Sequence, residues 1–462
     1  MPKANLIFFS KFCKARAFGI RNVNAFVYVL VGILSIDTVV GTISTGVGIE
    51  VFPNSNIILF AALGIITIVC QIMILQFVGR TSLTVRSKVR HIRRMHIGVS
   101  VSQYFIIILF IYVIMEVVFT ENYAPITSLL VTTLSYTLSI ILMGIFTVIF
   151  LSWYRNNRSS ILVLIYALSF ATVVIASISI LALWLYLFSE QMPAMLPTSD
   201  VHSLKTKEGS NWKVLVQIYS NSDIASFFLK WGGTVLILYH YSHRIGRIKF
   251  WVLLSLPLAY FSLIIIHHFH LYEPHEELET LIFYGLGSLN ATFGGILFYL
   301  AFRLASKSFK SSHIALGDYL LMAGFGFMVF FSGSQGNVIT TVYPPFGFAT
   351  VSSYGLGSYL ILLGLYLSAL SVSQDEQLRD AIKRSTLSES KFLHSIGVAA
   401  GERRKEIVNT VLEKAKQQQA TIVNDIGIDT SLSEEDIKDY VKEVEKEEEK
   451  KEEEQQEGGK AS

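Results

Sequence analysis

Ten apolar stretches of 19 to 28 residues follow one another between about Ala25 and Ser371, each bounded by short polar breaks. A helix needs about 20 such residues to cross a bilayer. Isolated apolar runs of this length satisfy their backbone only by hydrogen-bonding within themselves, so the pattern predicts membrane-spanning helices. The expected spans are 25–47, 57–78, 97–119, 126–153, 161–188, 224–242, 250–268, 281–302, 314–332 and 349–371. The fold class that follows is all-α, a polytopic transmembrane helix bundle with a short helical tail.

Charge adds an orientation. Basic residues collect in the N-terminal segment (Lys3, Lys11, Lys14, Arg16, Arg21), between the second and third spans (Arg80 to Arg94), and after the fourth, sixth and eighth spans. The alternate loops are acidic or neutral, apart from the mixed stretch Ser189 to Ser222. Under the positive-inside rule both termini are expected in the cytoplasm. Residues 1–24 lack the apolar core of a cleavable signal peptide. They suit an amphipathic segment on the inner surface, with Leu6, Phe8, Phe9 and Phe12 toward lipid.

Beyond Ser371 the composition changes. Residues 372–446 are charged and helix-prone, with Ser433 and Asp436 in capping-box spacing. Residues 447–462 form an acidic low-complexity end. The last 32 residues hold 13 acidic and 6 basic side chains, so the positive balance of the chain lies elsewhere. With few large apolar residues, the tail cannot bury a useful core alone. It is expected to associate with itself or with a cytoplasmic protein. His394 in this tail has no carboxylate beside it and no ATP-binding domain after it, so a packing role is expected.

Over the whole chain 16% of residues are charged and 52% hydrophobic, against about 25% charged in soluble domains. The two cysteines, Cys13 and Cys70, lie in segments that should not meet, so no disulfide framework is expected. No nucleotide-binding loop, catalytic signature or nucleic-acid motif stands out. No cofactor is expected, and the balance of signals is against an enzyme. The bilayer is the one partner implied directly.

Ionisable groups inside spans are costly and by default point to function. Asp37 lies ~12 Å below the outer end of the first span, and Lys230 lies ~9 Å below the same edge in the sixth. Their matching depths predict an intramembrane ion pair. Both are followed by glycines, Gly41 and then Gly46 in one span, Gly232-Gly233 in the other. Broken helices at these two corresponding positions belong to transporters with inverted repeats. Glu116, Asp318 and Asn290 are weaker candidates, the first two near span ends and Asn290 within the eighth span. A metal is a further option through His267, His270, His275 and Glu273, since His and carboxylate ligands suit zinc, copper or iron. His267 and His270 share a helix face, but the cluster stands by itself.

Tyr343-Pro344-Pro345-Phe346-Gly347, the stretch Ser352 to Ser371, Ser373-Gln374-Asp375 and the tail phrase Ser431 to Lys438 resemble a group of archaeal multi-pass membrane proteins. The resemblance covers roughly the last 120 residues. It implies an archaeal cell membrane as the location and carries no catalytic or binding residue across. The Tyr343 to Gly347 loop is expected to hold the outer ends of the last two spans in fixed relation. A membrane sensor or scaffold with a cytoplasmic helical output leads the functional expectations. A secondary transporter built on Asp37 and Lys230 comes next, then a metal-dependent membrane enzyme.

Overall fold

The computed structural model describes residues 20–47, 56–86, 90–120, 124–156, 158, 161–191, 210–239, 246–268, 277–309, 314–334 and 343–374. Among these the chain is all-helical, with no strand. Ten helices follow in order: α1 (Ile20–Val47), α2 (Asn56–Arg86), α3 (Arg90–Thr120), α4 (Pro125–Asn156), α5 (Ile161–Gln191), α6 (Ser210–Leu238), α7 (Arg247–His268), α8 (Glu277–Phe309), α9 (Ile314–Gly333) and α10 (Phe348–Gln374). Each contains most or all of one expected span. The N-terminal segment up to Gly19, Cys13 within it, and the tail from Asp375 lie outside the described residues.

Seven of the ten helices, α1 to α5, α9 and α10, are long and apolar enough to cross a membrane. Of the remaining three, α6 carries Lys213, Asp223 and Lys230, which lower its apolar content. Those polar residues are the ones that matter below.

The helices form a ring around a centre. Each of α1 to α8 packs on its neighbour in sequence, and α8 closes back onto α1. Within the ring stand α9 and α10, packed on each other more extensively than any other pair. Burial follows from this placement: α9 and α10 are 94% and 83% buried along their spans, whereas α1 to α5 are 39% to 50% buried. The outward faces of the ring remain apolar, with Ile58, Val101, Ile108, Ile141, Val148 and Ile178 exposed. An apolar exterior around a packed centre is what a bilayer stabilises.

Glycine makes the central contact possible. A methyl added at Gly357 would lie 2.6 Å from the Phe330 backbone nitrogen. At Gly364 it would meet the Ala323 nitrogen at 2.5 Å, and at Gly326 the Ile361 nitrogen at 2.5 Å. Where the hydrophobic effect does not drive helices together, such close backbone approach gives dispersion contacts their strength. Aromatic rings fill the wider gaps, with Phe330 stacked on Tyr354 at 4.7 Å and Phe298 on Phe331 at the same separation.

Candidate functional site

Two polar centres lie against the central helices. The first forms where α10 begins. Residues 343–347 are a turn that tucks into the bundle: Phe346 is fully buried against Phe60, and the Tyr343 hydroxyl donates to the Val117 carbonyl at 3.0 Å. The turn ends at Gly347, whose positive φ of 94° suits glycine. Its carbonyl accepts from Val351 N–H, so Gly347 occupies the N-cap position of α10. Glycine offers no side chain to satisfy the free N–H groups there. Asp37, from the middle of α1, supplies the missing acceptor. Its carboxylate accepts from Gly347 N–H at 2.9 Å, Thr350 N–H at 3.0 Å and the Thr350 hydroxyl at 2.8 Å. A single carboxylate thus caps a helix to which it does not belong, and the positive end of that helix favours its charge.

Four further ring helices hold α10 below this cap. Gln71 of α2 donates to the Ser352 and Ser353 hydroxyls at 3.0 and 2.8 Å. Gln103 of α3 donates to the Ser352 carbonyl at 2.9 Å and to Gln71 at 3.2 Å. His96, also of α3, is hydrogen-bonded to the Tyr359 hydroxyl at 2.6 Å. On α4, the Ser135 hydroxyl donates to the Val351 carbonyl and Ser139 pairs with Ser358, both at 2.6 Å. On α5, Ser177 is 3.0 Å from the Tyr354 hydroxyl. Five consecutive helices therefore hydrogen-bond to α10.

The second centre is a cavity of about 30 Å³ among α4, α5, α6, α9 and α10. Asp223, Lys230, Tyr219, Tyr136, Tyr354 and Ser177 bring polar atoms to it. Lys230 is buried; its ammonium donates to the Ser226 hydroxyl and faces the rings of Phe330 and Phe331 at 5.3 and 4.8 Å. Aromatic faces stabilise a cation away from water. Asp223, two turns earlier on α6, lines the same cavity as Lys230.

The expected pairing of Asp37 with Lys230 is therefore replaced by two separate arrangements. All the groups hydrogen-bonded to Asp37 come from residues 347–350, whereas Lys230 meets Ser226 and two phenylalanines and shares its cavity with Asp223. Depth along the membrane was matched, but depth does not specify which way a helix faces. The broken helices are not found either, since α1 and α6 run without interruption through Gly41 and Gly232. Gly41 has another reason to be small: a methyl there would come within 3.3 Å of the Phe346 backbone.

Glu116 lies in the last turns of α3, partly buried, and its Oε2 has no hydrogen-bond partner among the described residues. Asp318 sits in the first turns of α9 next to Tyr319. Asn290 falls within α8, and His267 near the end of α7, but their side chains lie outside the described residues, as do His270, Glu273 and His275 entirely. Among the described residues no group of three potential metal ligands comes together.

Asp223 was missed because the sixth span was expected to start one residue after it. The helix starts at Ser210, which places Asp223 in its fourth turn. A signal was present: Tyr219, Asp223, Ser226 and Lys230 are spaced four, three and four residues apart, a polar stripe down one helix face. Comparison with family models, curated proteins and solved structures returns no match for this chain.

Proposed function

We propose that this protein is a membrane sensor or signalling scaffold in which α10 carries the state of the bundle to the cytoplasmic tail. The observation that supports this reading is the position of α10. It stands at the centre of the ring, is hydrogen-bonded to five helices, and is followed in sequence by the charged segment that starts at Asp375. Tyr354 joins it to the charged cavity, stacking on Phe330 and Tyr136 while pairing with Ser177. In this reading all ten helices cross the membrane and both termini are cytoplasmic, in keeping with the basic loops. The membrane is an archaeal cell membrane, following the resemblance of the C-terminal 120 residues. The tail engages a cytoplasmic protein or a second copy of itself.

A spin label at Ser373→Cys, with Cys13 and Cys70 replaced by Ala, tests the coupling. Ser373 lies in the last turn of α10, next to where the tail departs. Lys230→Gln alters the cavity without touching that end. The expected result is a changed label spectrum at Ser373 relative to the parent protein. An unchanged spectrum, in a variant that remains folded, contradicts a signalling role for α10.

A further inference from the structure

The cavity beside α9 and α10 has a floor and a mouth. Tyr219, Asp223 and Ser334, toward the start of α6 and the end of α9, are partly exposed. Lys230 and Phe330 lie further in along the same two helices and are buried. Val173, Ala176 and Ile180, three and four residues apart on α5, add an apolar wall. The ammonium at the floor has donors to spare. It carries three N–H groups, and among the described residues its one hydrogen bond goes to Ser226. Phe330 and Phe331 face its charge but offer no oxygen acceptor. Lys230 is 3% exposed, and a charge so buried is ordinarily both paired and hydrogen-bonded. No hydrogen bond or ion pair joins it to Asp223 among the described residues.

Charge and size narrow what such a cavity can take. One carboxylate at the mouth and one ammonium at the floor already balance each other overall. A lone anion or a lone cation leaves one charge unbalanced in a poorly solvated interior, which is costly. A zwitterion adds no net charge and sets an opposite charge against each. Pockets for drug-sized ligands run to about 300–1,000 Å³. At about 30 Å³ this cavity takes only a small molecule. We propose that it binds a small zwitterion of the amino-acid class, with its carboxylate on Lys230 and its ammonium on Asp223. As the input to the sensor it rests on the reading above; as a binding site it is tested without reference to α10.

The test is titration of the purified full-length protein in detergent with free glycine and with β-alanine, at fixed pH and ionic strength. The readouts are the unfolding midpoint and binding calorimetry. Binding to the native state alone raises the midpoint in a saturable way. The expected result is such a rise with one zwitterion per chain, matched by neither acetate nor methylammonium, which carry one charge each. Lys230→Gln and Asp223→Asn each weaken binding by about tenfold or more. Asp223 lies at the partly exposed mouth, so its variant keeps the test available should Lys230→Gln fail to fold. No saturable response to either zwitterion overturns the proposal. So does acetate or methylammonium binding as tightly, or zwitterion binding that survives either substitution unchanged. Zwitterion binding that leaves the label spectrum at Ser373 unaltered upholds the site and contradicts the signalling reading instead.

Discussion

Asp37→Leu lowers the stability of the detergent-solubilised protein by about 2–6 kcal/mol, because two buried N–H groups of the last helix lose their acceptor at about 1–3 kcal/mol each. Asp37→Asn retains one acceptor oxygen and costs about half as much. Unfolding titrations in a denaturing detergent measure both. The same data separate the observed arrangement from a pairing of Asp37 with Lys230. The two side chains share no partner, so Asp37→Asn and Lys230→Gln are expected to add within about 0.5 kcal/mol in the double variant. A coupling clearly larger than that would restore the ion pair and contradict the cap. Loss at Asp37 also has a directional consequence. It releases the start of α10 while leaving the glycine-mediated contacts further along, so hydrogen exchange increases first at residues 347–351.

Gly357→Ala and Gly364→Ala each destabilise by about 1–3 kcal/mol, the range for overpacking a filled interior. The upper end is expected, because the atoms in the way are backbone of Phe330 and Ala323 rather than the ends of flexible side chains. Relief requires α9 and α10 to move apart along their whole contact, so the double variant is expected to lose its native fold. Gly32→Ala and Gly144→Ala are the controls, since nothing lies within 4 Å of a methyl at either. They are expected to be neutral or to stabilise by up to about 1 kcal/mol. Equal losses at all four positions would contradict close backbone approach as the reason for glycine at 357 and 364.

Much of the architecture was legible from apolar run lengths. Their minimum is set by bilayer thickness, and each run found its helix. The boundaries were less so. Basic and polar residues end an apolar run without ending a helix, as at α2, which continues to Arg86, and at α6, which begins fourteen residues before the apolar stretch. That extension is what brought Asp223 inside. The ring and its centre were not legible at all. Hydrophobicity around all sides of a helix is compatible both with lipid and with a packed interior. Nothing in the run lengths distinguishes α9 and α10 from their neighbours, although their glycines, serines and phenylalanines do so once packing is known.

The candidate site divides along the same line. Asp37 and Lys230 stood out because a charge in an apolar run is costly wherever it points. Their partners did not, because Gly347 and Thr350 act through backbone N–H groups that every residue but proline carries. The Tyr343 to Gly347 turn was expected to fix the ends of the last two helices. It also delivers the N-terminus of α10 to Asp37.

The junction that closes the ring around α10 is α1 against α8. There the Ser35 and Thr292 hydroxyls lie 3.0 Å apart. With Cys13 and Cys70 replaced by Ala, the pair Ser35→Cys and Thr292→Cys is expected to form a disulfide on mild oxidation of the folded protein in membranes, within one chain. Absence of that bond in a folded variant, or a bond formed only between chains, would contradict the ring.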